Sequence, residues 1–340
     1  MKKFKVGVIG AGAIAQALHI PGYVAAKNCE LTAIADPLER CLEQVKQRGW
    51  NFARTYSNYR EMLAKENLDV VSICTPNAFH KEMAIACIEK GVITLLEKPI
   101  AISMKEAWEI DRAAKKHRAR VMVGFSHRFN EHCQRVKQAV DKGEIGKPYM
   151  IRIRFAHNGP WPGWARSDWF YNPKLAGGGA LLDMGIHALD LAQWFLGPVT
   201  AVQAKVATLR KKIKVDDNAV CLLEFGKKCL GYIEVGWSSP SGFVGVELMG
   251  DNGSIVVDYA ADKSTMTTGV VKPSGERQQT TKVLLEKSKI GSWTGEMIYF
   301  TSLLNSKKSF TPGLKDGILA LKAAMAAQES SKTGRRIVLK

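Results

Sequence analysis

The chain is short of long apolar runs, of paired cysteines and of acid. No uninterrupted apolar segment approaches the roughly 18 residues that a membrane span requires, so no membrane partner is expected. The seven cysteines, at 29, 41, 74, 87, 133, 221 and 229, are odd in number and contain no C-x-x-C pair, which excludes an evident disulfide framework or metal site. Several fall in strand or helix patterns, where cysteine behaves as a small hydrophobe, and a reducing cytoplasm is expected rather than export. Acidic residues number 32 against 49 lysines and arginines, a formal charge of +17. Such basicity can mark a nucleic-acid surface, but the cations are dispersed and the densest run, LRKKIK at 209–214, has no interleaved aromatics. No nucleic-acid partner is expected; anionic small ligands, a dinucleotide among them, are favoured.

What is present is an ordinary globular composition, 46% hydrophobic and 24% charged. At 340 residues the chain exceeds the size at which one core keeps growing, so two domains are expected. The opening MKKFKVGVIGAGAIAQA has the basic start and small residues of a secretory leader. A strand, a glycine turn and a helix fit it better, and cleavage near Ala17 would destroy that unit.

Strand-like runs recur at KVGVIG, LTAIAD, DVVSICTP, VITLLEKP and RVMVGF, with helical patterns between them. This alternation predicts an α/β, doubly wound parallel sheet over residues 1–124. Its first turn, Gly10-Ala11-Gly12-Ala13-Ile14-Ala15, is a G-x-G-x-x-A between strand and helix. Gly10 permits the tight turn, Gly12 lets backbone approach a pyrophosphate, and Ala13 and Ile14 lead into the helix that receives it. Asp36 ends the second strand 21 residues after Ala15, where a carboxylate binds ribose hydroxyls and repels a 2′-phosphate. NAD is therefore expected over NADP, with Arg40 tempering the preference because an arginine there can accept the phosphate. Thr75, Pro76 and Asn77 fall at the carboxyl edge of a strand, where open α/β sheets bind ligands; Asn77 could equally cap the next helix. His80 lies one turn farther on, as a cofactor neighbour or a packed histidine.

In VITLLEKPI a buried-strand pattern ends in Glu97, Lys98 and Pro99. The charged pair marks either entry into a site or an ordinary solvated strand exit. From 149 onward the runs alternate, as in YMIRIRFAHN, NAVCLLEFG and KCLGYIEVGW, which predicts an α+β domain over 125–340 with a large, mostly antiparallel open sheet. Within it, GGGALLDMGIHALDLAQWFLG reads as a buried helix closed by Gly197, with Asp183 and His187 four apart on one face. An Asp one turn from a His can orient the ring and support the imidazolium. The same pair also suits a helix-start Asp beside a packed His.

The glycine turn, Thr75-Pro-Asn77, Glu97-Lys-Pro99, Gly124-Phe-Ser-His-Arg128, Gly177-Gly-Gly179 and Asp183-x-x-x-His187 occur in one order along nearly the whole chain. That ordered set resembles the Gfo/Idh/MocA oxidoreductases. The resemblance implies hydride transfer between NAD and a carbinol or carbonyl carbon of a sugar, inositol or related polyol, with Lys98 polarising the reacting oxygen, His187 as general acid/base and Asp183 orienting. It implies cofactor contacts from Gly10, Gly12, Ala13 and Ile14, from Asp36, Arg40, Thr75, Pro76, Asn77 and His80, and from Glu97 and Lys98. Arg128 and the aromatic loop NGPWPGWARSDWFYNPKLAGGG, through Trp164 and Arg166, are the implied additional substrate contacts. A homodimer or homotetramer through the C-terminal sheet is also implied. The rivals are an NAD-dependent glycosidase using transient redox and an inactive dinucleotide-binding regulator.

Overall fold

The computed structural model describes residues 3–165, 167–240 and 242–339, in two compact units. The first comprises Met1–Ser126 with Trp161–Gly177 and Trp293–Ile318; the second comprises His127–Pro160, Gly178–Ser292 and Leu319–Lys340.

The first unit is built on six strands, β1 (Phe4–Ile9), β2 (Cys29–Ala35), β3 (Arg54–Tyr56), β4 (Val70–Ile73), β5 (Ile93–Leu96) and β6 (Val121–Val123). They pair in parallel in the order β3-β2-β1-β4-β5-β6, the doubly wound arrangement in which ligands bind beyond the carboxyl ends of the strands. Five of the six coincide with the apolar runs. The edge strand β3 was not expected, because Arg-Thr-Tyr offers no apolar pattern and its side chains are exposed or half-buried. Val6, Val8, Val70, Val71, Leu95 and Leu96 are wholly buried, as strands covered on both faces require.

The second unit holds nine strands: β7 (Pro148–Ala156), β8 (Ala201–Ala207), β9 (Asn218–Phe225), β10 (Cys229–Gly236), β11 (Phe243–Gly250), β12 (Gly253–Asp258), β13 (Lys263–Val271), β14 (Arg277–Leu285) and β15 (Ile337–Val338). Their order is β14-β13-β12-β11-β7-β10-β9-β8-β15, antiparallel throughout except that β7 and β10 run parallel. Ile151, Ile153 and Phe155 point into the core, while Arg152 and Arg154 on the opposite face meet Glu247 and Glu234 at 3.1 and 3.4 Å. That outer face also exposes Val220, Leu222 and Leu230.

The expected helix around Asp183 differs in one respect. It opens as a π-helical turn over Leu181–Gly185 and becomes α-helical only over Ile186–Leu196, before Gly197 closes it with φ +88°. The wider turn changes the register between Asp183 and His187 from that of a regular α-helix, and π turns of this kind concentrate at functional sites. A second π turn, Ala15–His19, follows the glycine turn of the first unit.

Candidate active site

The glycine turn leaves β1 as expected. Gly10 has φ +91°, and a Cβ there would lie 2.7 Å from the Cys74 carbonyl oxygen, so side chains are excluded by conformation and by space. A Cβ on Gly12 would meet nothing within 4 Å, which leaves that side of the backbone open to a ligand. Ala13 and Ile14 follow half-buried. Asp36 does more than sequence suggested. Its Oδ2 accepts the Ala11 N–H at 2.8 Å and its Oδ1 the Leu38 N–H at 2.8 Å, so the carboxylate fastens the turn to the end of β2. Arg40 is exposed at the start of the helix Glu39–Gln47.

The loop after β4 is tied at several points. Asn77 does not cap the following helix; its Nδ2 donates to the Ala176 carbonyl at 2.8 Å. Thr75 Oγ1 donates to the Met83 sulfur at 3.4 Å, and Pro76 is half-buried beside it. His80 is wholly buried, with Nδ1 2.7 Å from the Pro99 carbonyl and Nε2 2.9 Å from the Thr75 carbonyl. Burial holds its pKa below the ordinary imidazole value against the pull of those two carbonyls. Its ring thus joins the loops that follow β4 and β5.

Glu97 is buried, so the charge after β5 is no solvated strand exit. Its Oε1 lies 2.9 Å from His19 Nε2, and Oε2 accepts the Lys98 N–H at 3.1 Å. His19 Nδ1 reaches Ser72 Oγ at 3.0 Å, and Tyr23 Oη reaches the same oxygen at 2.7 Å. Gly124 stands beside the carboxylate because a Cβ there would lie 3.0 Å from Oε2. Burial pushes the Glu97 pKa up, but the His19 bond and charge and the nearby Lys98 overcome it and hold the acid below the ordinary carboxylate value. Glu296 has both carboxyl oxygens buried without a hydrogen-bond partner among the described residues, and burial together with the Glu97 charge raises its pKa well above the ordinary range. Lys98 is half-buried. His19, Tyr23, Ser72 and Glu296 carried no sequence signal; they lie in apolar helix and strand patterns.

In the second unit, Asp216 sets the start of the π turn. Its carboxylate accepts the Gly179 and Leu181 N–H groups at 2.7 and 2.8 Å, and its carbonyl accepts that of Ala180 at 2.9 Å. The backbone passes so close that a Cβ on Gly179 would fall 1.8 Å from the Asp216 carbonyl oxygen, which explains the third glycine of the run. Asp183 and His187 are both buried, each 7% exposed. Trp237 Nε1 donates to Asp183 Oδ2 at 3.0 Å, His157 Nε2 lies 3.7 Å from the same oxygen, and the His127 and His187 rings are 4.7 Å apart.

Arg128 makes a buried, bidentate pair with Asp190, Nε to Oδ2 at 2.7 Å and Nη2 to Oδ1 at 2.6 Å, and lies over the Trp194 ring. Trp164 is exposed and packs edge-on against Phe170. Arg166 lies outside the described residues. Ser264, His132 and Asp262 are linked at 3.0 and 2.9 Å, but with Nδ1 toward the serine and Nε2 toward the aspartate, the reverse of a hydrolase triad, and the serine and histidine are wholly buried. Among the described residues no group of three or more His, Cys, Asp or Glu is placed to hold a metal ion, and no helix is long and apolar enough to cross a membrane.

Two family models match in chain order. Residues 4–125 match the oxidoreductase family with an NAD-binding Rossmann fold, and residues 133–256 match the GFO/IDH/MocA C-terminal domain. The chain belongs to the GFO/IDH/MocA oxidoreductase family. It is an NAD-dependent oxidoreductase, and the open side of Gly12 beside the fastened Asp36 fits that cofactor. Among relatives, it is 28% identical to myo-inositol 2-dehydrogenase of Thermotoga maritima, over 98% of each chain. It is 34% identical to D-glucoside 3-dehydrogenase of Escherichia coli, over 57% of this chain and 54% of that one. Levoglucosan dehydrogenase, solved in complex with NADH and L-sorbose, superposes with a TM-score of 0.88 over 100% of both chains; at 24% identity the likeness is one of fold.

Proposed function

We propose that this oxidoreductase interconverts a secondary alcohol and a ketone on a sugar, an inositol or a related polyol. The observation that carries the reading is that the open Gly12 turn, Asp36 and Lys98 all follow the carboxyl ends of strands of one parallel sheet, β1, β2 and β5. Relatives that act on myo-inositol and D-glucosides support the substrate class.

Gly10, Gly12, Ala13 and Ile14 would hold the pyrophosphate, Asp36 the ribose hydroxyls, and Thr75 to Asn77 with Glu97 the remainder, His80 acting by tying their loops together. Bound NAD supplies the hydride acceptor or donor. The Lys98 ammonium stabilises negative charge developing on the reacting oxygen. His187 takes the hydroxyl proton in oxidation and returns it in reduction, while Asp183 orients that ring. Arg128, Trp164 and Arg166 complete the proposed substrate contacts, with Arg128 fixed by its pair with Asp190. The proposed domain division is 1–124 for the nucleotide and 125–340 for substrate and oligomerisation, with a cytoplasmic homodimer or homotetramer using the exposed Val220, Leu222 and Leu230 face.

The test is a panel of aldoses, inositols and glycosides followed at NADH absorbance with NAD and with NADP. The expected result is net NADH formation on a polyol, tighter binding of NAD, and a loss of about 10²- to 10³-fold in kcat for Lys98→Met. Glycoside cleavage without net NADH would replace this reading with the transient-redox hydrolase. Tight NAD binding with no turnover on the panel would favour the regulator.

A further inference from the structure

Asp183 Oδ2 accepts a hydrogen bond from Trp237 and lies 3.7 Å from His157, neither of which any motif announces. β7 and β10 are parallel neighbours in register, with Ala156 opposite Gly236, so His157 and Trp237 leave the sheet side by side as the next residue of each strand. The His157 N–H donates to the Gly236 carbonyl at 3.0 Å, which locks the two exits together. Trp237 is wholly buried and its own N–H donates to the Asp217 carbonyl at 2.7 Å. Its indole cannot rotate away without vacating the core.

Both rings turn a nitrogen toward the same oxygen, the indole within hydrogen-bond distance at 3.0 Å and the imidazole farther off at 3.7 Å. An indole nitrogen only donates, so the 3.0 Å contact from Trp237 Nε1 needs an acceptor at Asp183 Oδ2. For His157, the Gly159 N–H donates to Nδ1 at 2.8 Å, so the neutral ring carries its proton on Nε2, the nitrogen 3.7 Å from that oxygen. Among the described residues, the other titratable groups near this part of the fold include His187 on the same helix, His127 with its ring tilted 4.7 Å from that of His187, Asp216 at the helix start, and the buried Asp217, whose carbonyl accepts the Trp237 backbone N–H.

We propose that Trp237 is a positioning residue for hydride transfer, a clamp whose indole N–H fixes the Asp183 carboxylate in one orientation, with His157 on the adjacent strand as a weaker electrostatic support at 3.7 Å. The inference rests on the role given to Asp183 above. A carboxylate free to rotate exchanges its oxygens and loses a defined direction toward His187; one oxygen held by a rigid indole does not. Donors aimed at the ionised form also favour it over the acid, so the clamp keeps Asp183 charged when His187 becomes an imidazolium. The π turn over Leu181–Gly185 is then the local cost of bringing Asp183 to the Trp237 indole.

The experiment compares wild type, Asp183→Asn, Trp237→Phe, His157→Phe and His157→Gln as full-length protein. Trp237→Phe keeps an aromatic ring but removes the donor. The clamp predicts a kcat lower by about tenfold to a hundredfold, as for a small misplacement of a reacting group, with NADH affinity within about twofold of wild type. It also predicts that the acidic limb of kcat/KM moves to higher pH, which a packing defect alone would not produce. His157→Phe should move the limb in the same direction by less, and His157→Gln, which keeps an N–H donor, should restore most of the rate. A readout independent of turnover is the Trp237 indole N–H resonance in isotope-labelled protein, assigned by its loss in Trp237→Phe. It should move upfield in Asp183→Asn and on acidification. An unmoved resonance, or wild-type rate and pH profile in both Trp237→Phe and His157→Phe while Asp183→Asn is inactive, overturns the clamp alone. Full activity of Asp183→Asn overturns the site reading instead. Should Trp237→Phe not fold, the His157 pair and the resonance decide the matter.

Discussion

Nε2 of His19 lies 2.9 Å from Oε1 of Glu97, across 78 positions of sequence, inside the core of the parallel-sheet unit. The acid that precedes the proposed catalytic lysine is therefore a buried ion with a dedicated partner. Ser72 and Tyr23 extend the chain behind it, and Gly124 leaves it room.

That arrangement makes a pH-dependent stability. Glu97 has a lowered pKa in the folded state, so the unfolded chain binds more protons over the window between the two values, and stability rises with pH through it. Glu97→Gln should cost about 1.5–3 kcal/mol at neutral pH, the range for a hydrogen bond to a charged group. In urea titrations at stepped pH, the difference from wild type should close as pH falls from the ordinary carboxylate value through the lowered one. A difference constant with pH would mean that Glu97 is not ionised in the fold.

Glu296 has the opposite sign. Its raised pKa keeps it protonated while the unfolded chain ionises, so stability is lost as pH rises above the ordinary carboxylate value. Glu296→Met removes two buried oxygens that lack partners among the described residues and should stabilise by about 1–3 kcal/mol at neutral pH. The gain should shrink in acid, where both states are protonated. Thermal midpoints at neutral and acidic pH measure it, and a destabilised variant at neutral pH would refute the assignment.

Arg128 and Asp190 are a buried bidentate pair, with side chains 5% and 2% exposed. Arg128→Met removes the cation paired with the buried Asp190 carboxylate and should cost about 3–5 kcal/mol. Adding Asp190→Leu removes the buried charge whose cation is gone, and the double variant should recover much of that loss. Equal losses in the single and double variants in chemical denaturation would show that the pair's charges matter less than its packing.

Two glycines should respond differently to alanine. Gly179→Ala meets the Asp216 carbonyl at 1.8 Å and should destabilise by about 1–3 kcal/mol as the helix start is forced aside. Gly12→Ala meets nothing within 4 Å, so its thermal midpoint should stay near that of wild type while NAD binding weakens. Calorimetry of folding and of NAD binding on the two variants separates these effects; unchanged NAD affinity in Gly12→Ala would remove the turn from the cofactor site.

The sequence by itself determined the two architectures and the positions of the motifs. Strands buried on both faces must be nearly all apolar, as in Val70–Ile73, and half-buried strands must alternate, as in Ile151, Ile153 and Phe155, so both patterns are visible without a structure. β3 and β13 escaped because Arg-Thr-Tyr and the threonine-rich Lys263–Val271 carry too little apolar signal. The π turn at Asp183 escaped for another reason: over five residues the burial pattern of a π turn and an α turn is nearly the same. The tertiary structure alone decided which groups answer each motif residue. His19 for Glu97, Asp216 for the Gly179 turn and Trp237 for Asp183 lie 78, 37 and 54 positions from their partners. Periodicity records only whether a side chain faces the core. Which side chains meet there follows from strand order, and strand order places β7 beside β10 although more than seventy residues, about twice the length of a compact crossover unit, separate them.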